Sequence, residues 1–413
     1  MASATTLPAR TGVLIVGGGP VGLTASALLS RHGIDNVVVE RRDHIQRAPA
    51  AHVLRPRTMQ VFDALGIGDE IRRTAPLQDL DFITWCSTLG GTEIGRIDTR
   101  ANGLEWTNCP QNLLEPILLR RAEQASHAQV LRGVTWTGLS QDTSRVRADL
   151  RLADGREASV EADWMIAADG AGSPVRRALD VPMQGLGPQG RFFMVHLETD
   201  LRPWIEGRSG PLFWILNPES PGTLIVHDPA RSHVFMALRR GTENEEETLP
   251  ARVSAALGVD APLRIVSIDA WSPHVQVAER YREGRVFLAG DAAHRFPPTG
   301  GLGLNTGILD ADFLVHLLAR VETGRGDPGS LALYEAECRP VAESNARQSF
   351  ENMKRLAEIS QVIGPCADLA ALEARIASLP PEERKRLDEA IERQRSHFAS
   401  HGRLPADPRT LAP

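Results

Sequence analysis

The string Gly17-Gly18-Gly19-Pro20-Val21-Gly22 constrains this chain more than any other feature. It fits G-x-G-x-x-G, and its surroundings give that pattern a mechanical meaning. Val13–Val16 before it is a short apolar run that reads as a buried parallel strand. Val21–His32 after it reads as a helix stopped by Gly33, and Asn36–Glu40 (NVVVE) reads as a second strand. Such a strand–turn–helix–strand unit opens a doubly wound α/β sheet. Gly17 permits the tight turn, Gly19 lets backbone approach a pyrophosphate, and Gly22 lets helix and strand pack closely. Pro20 and Val21 open the helix, whose free N–H groups and positive dipole end suit phosphates. Glu40, eighteen residues past Gly22, is placed to accept hydrogen bonds from ribose hydroxyls. This motif alone leaves NAD and FAD both open.

The rest of the chain sets the frame. Its 413 residues allow two or three domains. A formal charge of −6 with no basic run speaks against nucleic-acid or anionic-membrane partners. No apolar stretch reaches the length of a membrane span, and the run Val13–Val16 is too short to serve as the apolar core of a signal peptide. Cys86, Cys109, Cys338 and Cys366 show no CxxC or Cys–His metal spacing, so no metal site and a reduced, cytoplasmic setting are expected. From Arg191 to Ser272 the pattern changes to short strands, Phe192–Glu198, Leu212–Leu216, Thr223–His227 and Val234–Leu238. These predict an antiparallel sheet inserted into the nucleotide-binding domain, together with Phe82–Cys86 and Thr92–Ile97. The expected architecture is α/β: a Rossmann-like domain over 1–75, 105–185 and 275–345, a sheet domain over 76–104 and 186–274, and a helical C-terminal segment over 346–413.

Two further glycine-rich strand ends follow the first. Asp169-Gly170 closes WMIAADGAGSPVR, and Gly290-Asp291 closes RVFLAGD ahead of AAHRFPPTGGLGLNTGILDA. In order and separation the three motifs resemble the FAD-dependent aromatic hydroxylases, the class that includes para-hydroxybenzoate hydroxylase and phenol hydroxylase. The resemblance covers about residues 12–345. AAHVL with PRTM (residues 50–59), PQNLLEP (110–116) and YEAE with Arg339-Pro340 look like the phenol and 2,4-dichlorophenol hydroxylase branch. Relatives in that branch carry a thioredoxin-like C-terminal domain. The segment Ala390–Phe398 resembles the run leading into it, and the chain is read as lacking that domain. Asp312-Phe313-Leu314 departs from the family's usual Asn, Trp and Lys near this point, so helix packing there is expected to differ.

The resemblance implies that Glu40 binds the adenosine ribose, with Arg41 near the adenosine end. It implies that Gln111 contacts FAD, that Asp169 lies in a motif serving FAD and NAD(P)H, and that Asp291 binds the ribityl chain or nearby phosphate. Gly290 closes the strand before it, and Gly300–Asn305 lies against the isoalloxazine. The loop makes physical sense independently. Pro297, Pro298 and the glycines Gly300, Gly301 and Gly303 keep side chains away from a flat ring. Leu304 and Asn305 open a helix whose N–H groups stabilise negative charge at the ring edge. Arg47 is a candidate contact for either dinucleotide.

The implied chemistry is hydroxylation of an aromatic or phenolic small molecule with NADH or NADPH and O2. Triplet O2 reacts slowly with closed-shell rings, so the cofactor carries the hard step: reduced flavin forms a C4a-hydroperoxide that delivers an electrophilic oxygen. A phenolate is the better nucleophile, so a base within reach helps. His52, His227 and His294 are candidates. His52, His294 and Pro298 are expected at the reacting centre, and Trp85, Phe213 and Trp214 as core or pocket aromatics. Catabolic phenols and polyketide-type intermediates both remain open as substrates. So do a flavin oxidase, reductase or halogenase on this scaffold, and a non-catalytic flavin-binding module. A monomer or a homodimer is expected.

Overall fold

The strand Arg10–Val16 lies at the centre of the larger sheet, parallel to both Asn36–Glu40 and Glu157–Ala167. In the computed structural model, which describes residues 7–76, 82–99, 106–241, 244–395 and 402–410, Ala128–Arg132 extends this parallel core on one side and Val286–Leu288 on the other. Val13, Leu14, Ile15 and Val38 are fully buried, as expected of a sheet covered on both faces. The helix Pro20–Arg31 covers one face beside Gln111–Glu123 and Gly303–Glu322. The hairpin Thr135–Gln141 and Val146–Arg151 joins the sheet through Glu157–Ala167.

A second, seven-stranded sheet among the described residues holds Phe82–Cys86, Glu93–Asp98, Phe192–Glu198, Leu212–Ile215, Gly222–Asp228, Ser232–Leu238 and Arg264–Trp271. The sequence led us to expect a purely antiparallel insert. The structure corrects this at one seam, where Leu212–Ile215 runs parallel to Phe82–Cys86. These strands come from distant parts of the chain, so no hairpin forces them antiparallel.

Alternation divides the second sheet's residues. Phe193, Val195, Leu224, Val226, Phe235 and Ala237 pack against Leu249, Val253 and Leu257 of the helix Glu245–Leu257. Ile83, Trp85, Ile94 and Ile97 meet Ile359, Ile363, Leu387 and Ile391 of the C-terminal helices. Trp85 and Phe213 are therefore core residues, and half-buried Trp214 packs with the C-terminal helices. The segment Ala390–Phe398 extends beyond the described residues at its end.

Candidate active site

The first and third glycine turns pack together through one side chain. Val21, at the start of the first helix, fills the space left by Gly290 and Gly307. A Cβ on either glycine would lie 2.9 Å and 2.8 Å from Val21 Cγ2. Gly290 has φ +60°, so its backbone also favours glycine. Gly17, at φ +109°, presses on the end of Glu157–Ala167, and a Cβ there would stand 2.2 Å from the Ala168 carbonyl. Gly22 is as tight against the Gly17 carbonyl, at 2.0 Å. Gly19, by contrast, faces open space. Its backbone is thus left accessible beside the start of the first helix.

Glu40 closes the second strand at the opening turn. Its Oε2 accepts from the Gly18 N–H at 2.8 Å and its Oε1 from the Arg42 N–H at 2.9 Å. Burial alone would raise this carboxyl's pKa. The two N–H groups and the Arg42 guanidinium outweigh burial and hold it below the usual carboxylate range. Each oxygen keeps acceptor capacity for a ribose hydroxyl. Leu23, Leu119 and Val130 line an apolar recess beside it, with Arg42 and Arg132 at the rim. Arg42, not Arg41, makes the ion pair with Glu40, Nε to Oε1 at 3.2 Å. Arg41 and Arg47 are exposed.

Gln111 begins its helix and donates to Glu115 Oε1 at 2.6 Å. Glu115 Oε2 accepts from the Gln46 N–H at 3.0 Å, so one buried carboxylate ties Gln111 to the loop carrying Arg42 and Arg47. The sequence reading had missed Glu115. Asp169 accepts from the Val175 N–H at 3.1 Å, while its Oδ1 is buried without a partner among the described residues. Burial raises its pKa.

Asp291 opens a single 3-10 turn. Its side chain is exposed, yet the protein around it takes away enough hydration to raise its pKa, against the opposing pull of His294 and Arg295. A raised acid binds its proton more readily folded than unfolded. It therefore costs stability that accrues as pH rises from the unfolded pKa to the folded one. Hydroxyl donors from a ligand relieve that cost. Asp291→Asn is thus expected to leave the apoprotein as stable as wild type or more so at neutral pH, an advantage that fades in acid. FAD affinity should fall by about tenfold or more, the loss of one charge-assisted hydrogen bond. Thermal melts across pH, with and without FAD, check both halves.

The loop 297–302 turns on Gly300 (φ +100°) and Gly301 (φ +62°), the latter against Val53. The Pro298 carbonyl accepts from the Gly301 N–H at 3.0 Å. The helix Gly303–Glu322 follows, and its first N–H groups, at Gly303, Leu304 and Asn305, have no intrahelical acceptor. Asn305 staples this loop to Val53–Leu54. Its Nδ2 donates to the Val53 and Gly301 carbonyls at 2.8 and 2.7 Å, and its Oδ1 accepts from the Arg55 N–H at 2.8 Å. Buried Arg55 donates to the Gly300 carbonyl at 2.6 Å and lies over Trp106. Burial brings its pKa down to about 10. Neither Arg55 nor the staple was anticipated from sequence, because the partners stand about 250 residues apart.

The three expected catalytic residues fare differently. His52 is half-buried, with its Nδ1 2.6 Å from Asn108 Oδ1 and its ring 5.0 Å from that of His227. Pro298 is exposed and has no group that can hold a proton, so its contribution is to loop shape. The geometry speaks against catalysis by His294. It is fully buried, its Nε2 is 2.9 Å from Asp310 Oδ2, and it stacks on Phe296. Tyr281 and Tyr334 are also fully buried, in the apolar core around the first sheet. No cluster that could hold a metal occurs among the described residues, and no helix among them is long and apolar enough to cross a membrane.

These residues fit FAD. The opening turn offers backbone to a diphosphate and Glu40 to a ribose. Asp291 is an exposed acceptor whose carboxyl is pushed up by lost hydration, and Gly303, Leu304 and Asn305 offer N–H groups without intrahelical acceptors to the edge of a flat ring. Comparison with known proteins agrees. The family profile described as "FAD binding domain" matches residues 10–349. The chain is 33% identical to the 2,4-dichlorophenol 6-monooxygenase of Cupriavidus pinatubonensis, over 96% of its own length and 72% of that enzyme's. It is 34% identical to the aklavinone 12-hydroxylase of Streptomyces peucetius, over 79% and 71% of the two chains. Among solved structures, the flavin-dependent monooxygenase PieE in complex with FAD and substrate superposes with a TM-score of 0.87 at 29% identity, covering 93% of this chain and 71% of that one.

Proposed function

Because this chain belongs to the FAD binding domain family and is an FAD-dependent monooxygenase of it, we propose that it uses NAD(P)H and O2 to hydroxylate a phenolic ring. The observation that supports this reading best is the packing of Val21 into the space left by Gly290 and Gly307, beside a helix start whose Gly303, Leu304 and Asn305 N–H groups have no intrahelical acceptor. A module that merely held the adenosine half would need the first turn and not the Pro-Gly loop. When bound, FAD supplies the electron transfer that makes O2 reactive toward an electron-rich ring.

The chain's own residues do the rest. Gly19 and the first helix N-terminus hold the diphosphate, and Glu40 the ribose. The N–H groups of Gly303, Leu304 and Asn305 favour negative charge at the edge of a ring lying against them. Asn305 and Arg55 fix that loop against Val53, so the donors need no reorganisation during reaction. Met194, Ile225 and Met236 are half-buried on the sheet surface opposite the packed core, an apolar ceiling that excludes water from the reacting atoms. A single dinucleotide fingerprint is present, so NAD(P)H binds transiently at the surface.

The proposal is tested by incubating FAD-loaded protein with NADH or NADPH and a panel of phenols, from 2,4-dichlorophenol to polycyclic phenols. Some member should accelerate NAD(P)H oxidation and give hydroxylated product in excess of hydrogen peroxide. Peroxide equal to the NAD(P)H consumed with every member would identify an oxidase instead. Flavin that neither nucleotide reduces would reduce the chain to a binding module.

A further inference from the structure

A cavity of about 250 Å³ borders the helix that follows the glycine loop. None of Gly17–Gly22, Glu40, Asp169 or Asp291 is given as lining it except through that helix, Gly303–Glu322, so it is distinct from the dinucleotide cleft. It lies where this helix, Pro56–Ala64 and Ala332–Ile363 meet residues 402–405. Asn345, 3% exposed, holds the assembly together. Its Nδ2 donates to Thr306 Oγ1 at 3.0 Å and to the Arg403 carbonyl at 3.1 Å, and its Oδ1 accepts from the Arg403 N–H at 2.7 Å. Arg57 pairs with Asp407 at 3.2 Å. The segment 402–407 is thereby pinned at two points as one wall of the cavity.

The lining joins an apolar part to an anion-seeking part. Leu302, Leu309, Val341 and Leu404 supply the first, and Leu404 is 44% exposed. The second gathers at the start of the helix Pro56–Ala64, whose first turn lines the cavity and has no side-chain cap. The N–H groups of Arg57 and Thr58 there have no intrahelical acceptor, and the helix dipole adds positive charge. Thr58 is fully buried, and its Oγ1 has no hydrogen-bond partner among the described residues. Native proteins rarely leave such an atom unmatched. Arg57 and Arg403 also line the cavity, and no carboxylate does so among the described residues. Asp407 and Asp312, at 3.2 and 3.9 Å from Arg57, are the acids beside it. Arg403 is held through its backbone, which leaves its guanidinium available to a ligand. A cavity of about 150 Å³ suffices for benzene, so this one admits a single ring with a small substituent. Apolar walls disfavour a fully hydrated ion, whereas a guanidinium fork matches a carboxylate.

We propose that this cavity is a second small-molecule site, which takes a single-ring aromatic monocarboxylate and reports its binding to the flavin. The carboxylate accepts from the Thr58 hydroxyl and an arginine at the helix start, and the ring lies against Leu309 and Val341. The link to the flavin is a shared wall. Arg55 and Asn305 line the cavity, and they also fix the glycine loop against Val53. An occupant braces those two side chains and so favours one position of the loop. By linkage, the flavin state that prefers this position favours the occupant in turn. The inference goes beyond hydroxylation and is independent of which ring is hydroxylated.

The test titrates FAD-loaded protein with benzoate and with benzamide, its uncharged counterpart, by calorimetry and by the flavin absorbance spectrum. Benzoate should bind one to one and shift the spectrum, with benzamide weaker by about tenfold or more, the worth of a charge-assisted hydrogen bond. Thr58→Val and Arg403→Gln should each weaken benzoate by about tenfold and leave benzamide unchanged. Val341→Trp, which fills the cavity, should abolish both. The first two variants are mild and carry the test if the third fails to retain FAD. Wild type that gives no heat with benzoate, or that binds benzoate and benzamide alike, overturns the proposal. So does benzoate binding that survives unchanged in the flavin-loaded variants, which would put the ligand in the flavin cleft. Binding that the variants lose but the flavin spectrum never registers overturns the coupling. Failure of the hydroxylase reading shows separately, in the phenol panel.

Discussion

Gly17→Ala yields protein that loses FAD on gel filtration. The new Cβ would stand 2.2 Å from the Ala168 carbonyl, and the backbone holds φ at +109°. A non-glycine residue in such a conformation costs about 1–3 kcal/mol. Relieving the contact means moving either the opening turn or the strand end before Asp169. Both belong to the site, so the strain falls on it. Each 1.4 kcal/mol is about tenfold in affinity, so a loss of two orders of magnitude or more is expected, read by fluorescence titration with FAD. Gly33→Ala is the control. Gly33 also has positive φ, at +74°, but a Cβ there meets nothing. That variant should melt a few degrees lower and bind FAD as wild type does. Equal FAD losses in the two variants would mean general destabilisation, not a damaged turn.

Asn305→Ala should separate cofactor binding from turnover. The side chain is 5% exposed and makes three hydrogen bonds, to Val53, Gly301 and Arg55. Removing it leaves buried partners unsatisfied, at about 1–3 kcal/mol for each group. The dinucleotide turn around Gly17–Gly22 lies elsewhere and stays intact. FAD should therefore remain bound while the loop 297–302 shifts against Val53. A displacement near 1 Å can cost about a hundredfold in rate. We expect kcat to fall by that order, with more of the NAD(P)H consumed appearing as hydrogen peroxide. Asn305→Asp keeps the volume but can no longer donate to the two carbonyls, and should behave alike. Unchanged kcat and coupling in both variants would remove the staple from the account.

The first sheet was legible because its signals are local. VLIV, the glycine turn and NVVVE lie within thirty residues, and each agrees with the same parallel sheet. The strands Asn36–Glu40, Phe82–Cys86 and Phe192–Glu198 fall where the sequence places them. The helix Glu245–Leu257 was not read because Pro250 interrupts its pattern and its apolar face becomes evident only against Phe213 and Leu224. Arg264–Trp271 pairs on one side only, with Phe192–Glu198, so its exposed positions blur the alternation.

Site residues divide along the same line. Glycines announce themselves, since only they tolerate the turns. Arg41 and Arg42 cannot be ranked from sequence, because which of two adjacent arginines turns back to Glu40 is decided by the loop's path. Position after the GDAA turn pointed His294 toward chemistry, but one turn of helix brings Asp310 onto it and closes it from the cleft. The register shift between Val226 and Asp228, where Gly222–Asp228 pairs with Ser232–Leu238, leaves no trace in composition or spacing.

The most direct test follows the oxygen atom. FAD-loaded protein, NAD(P)H and an accepted phenol are incubated under 18O2 in ordinary water, and the product is weighed by mass spectrometry. The account predicts one heavy oxygen per hydroxylated product and none when the label is instead in the water. A product whose new oxygen comes from water, or flavin turnover that yields only peroxide, would contradict it.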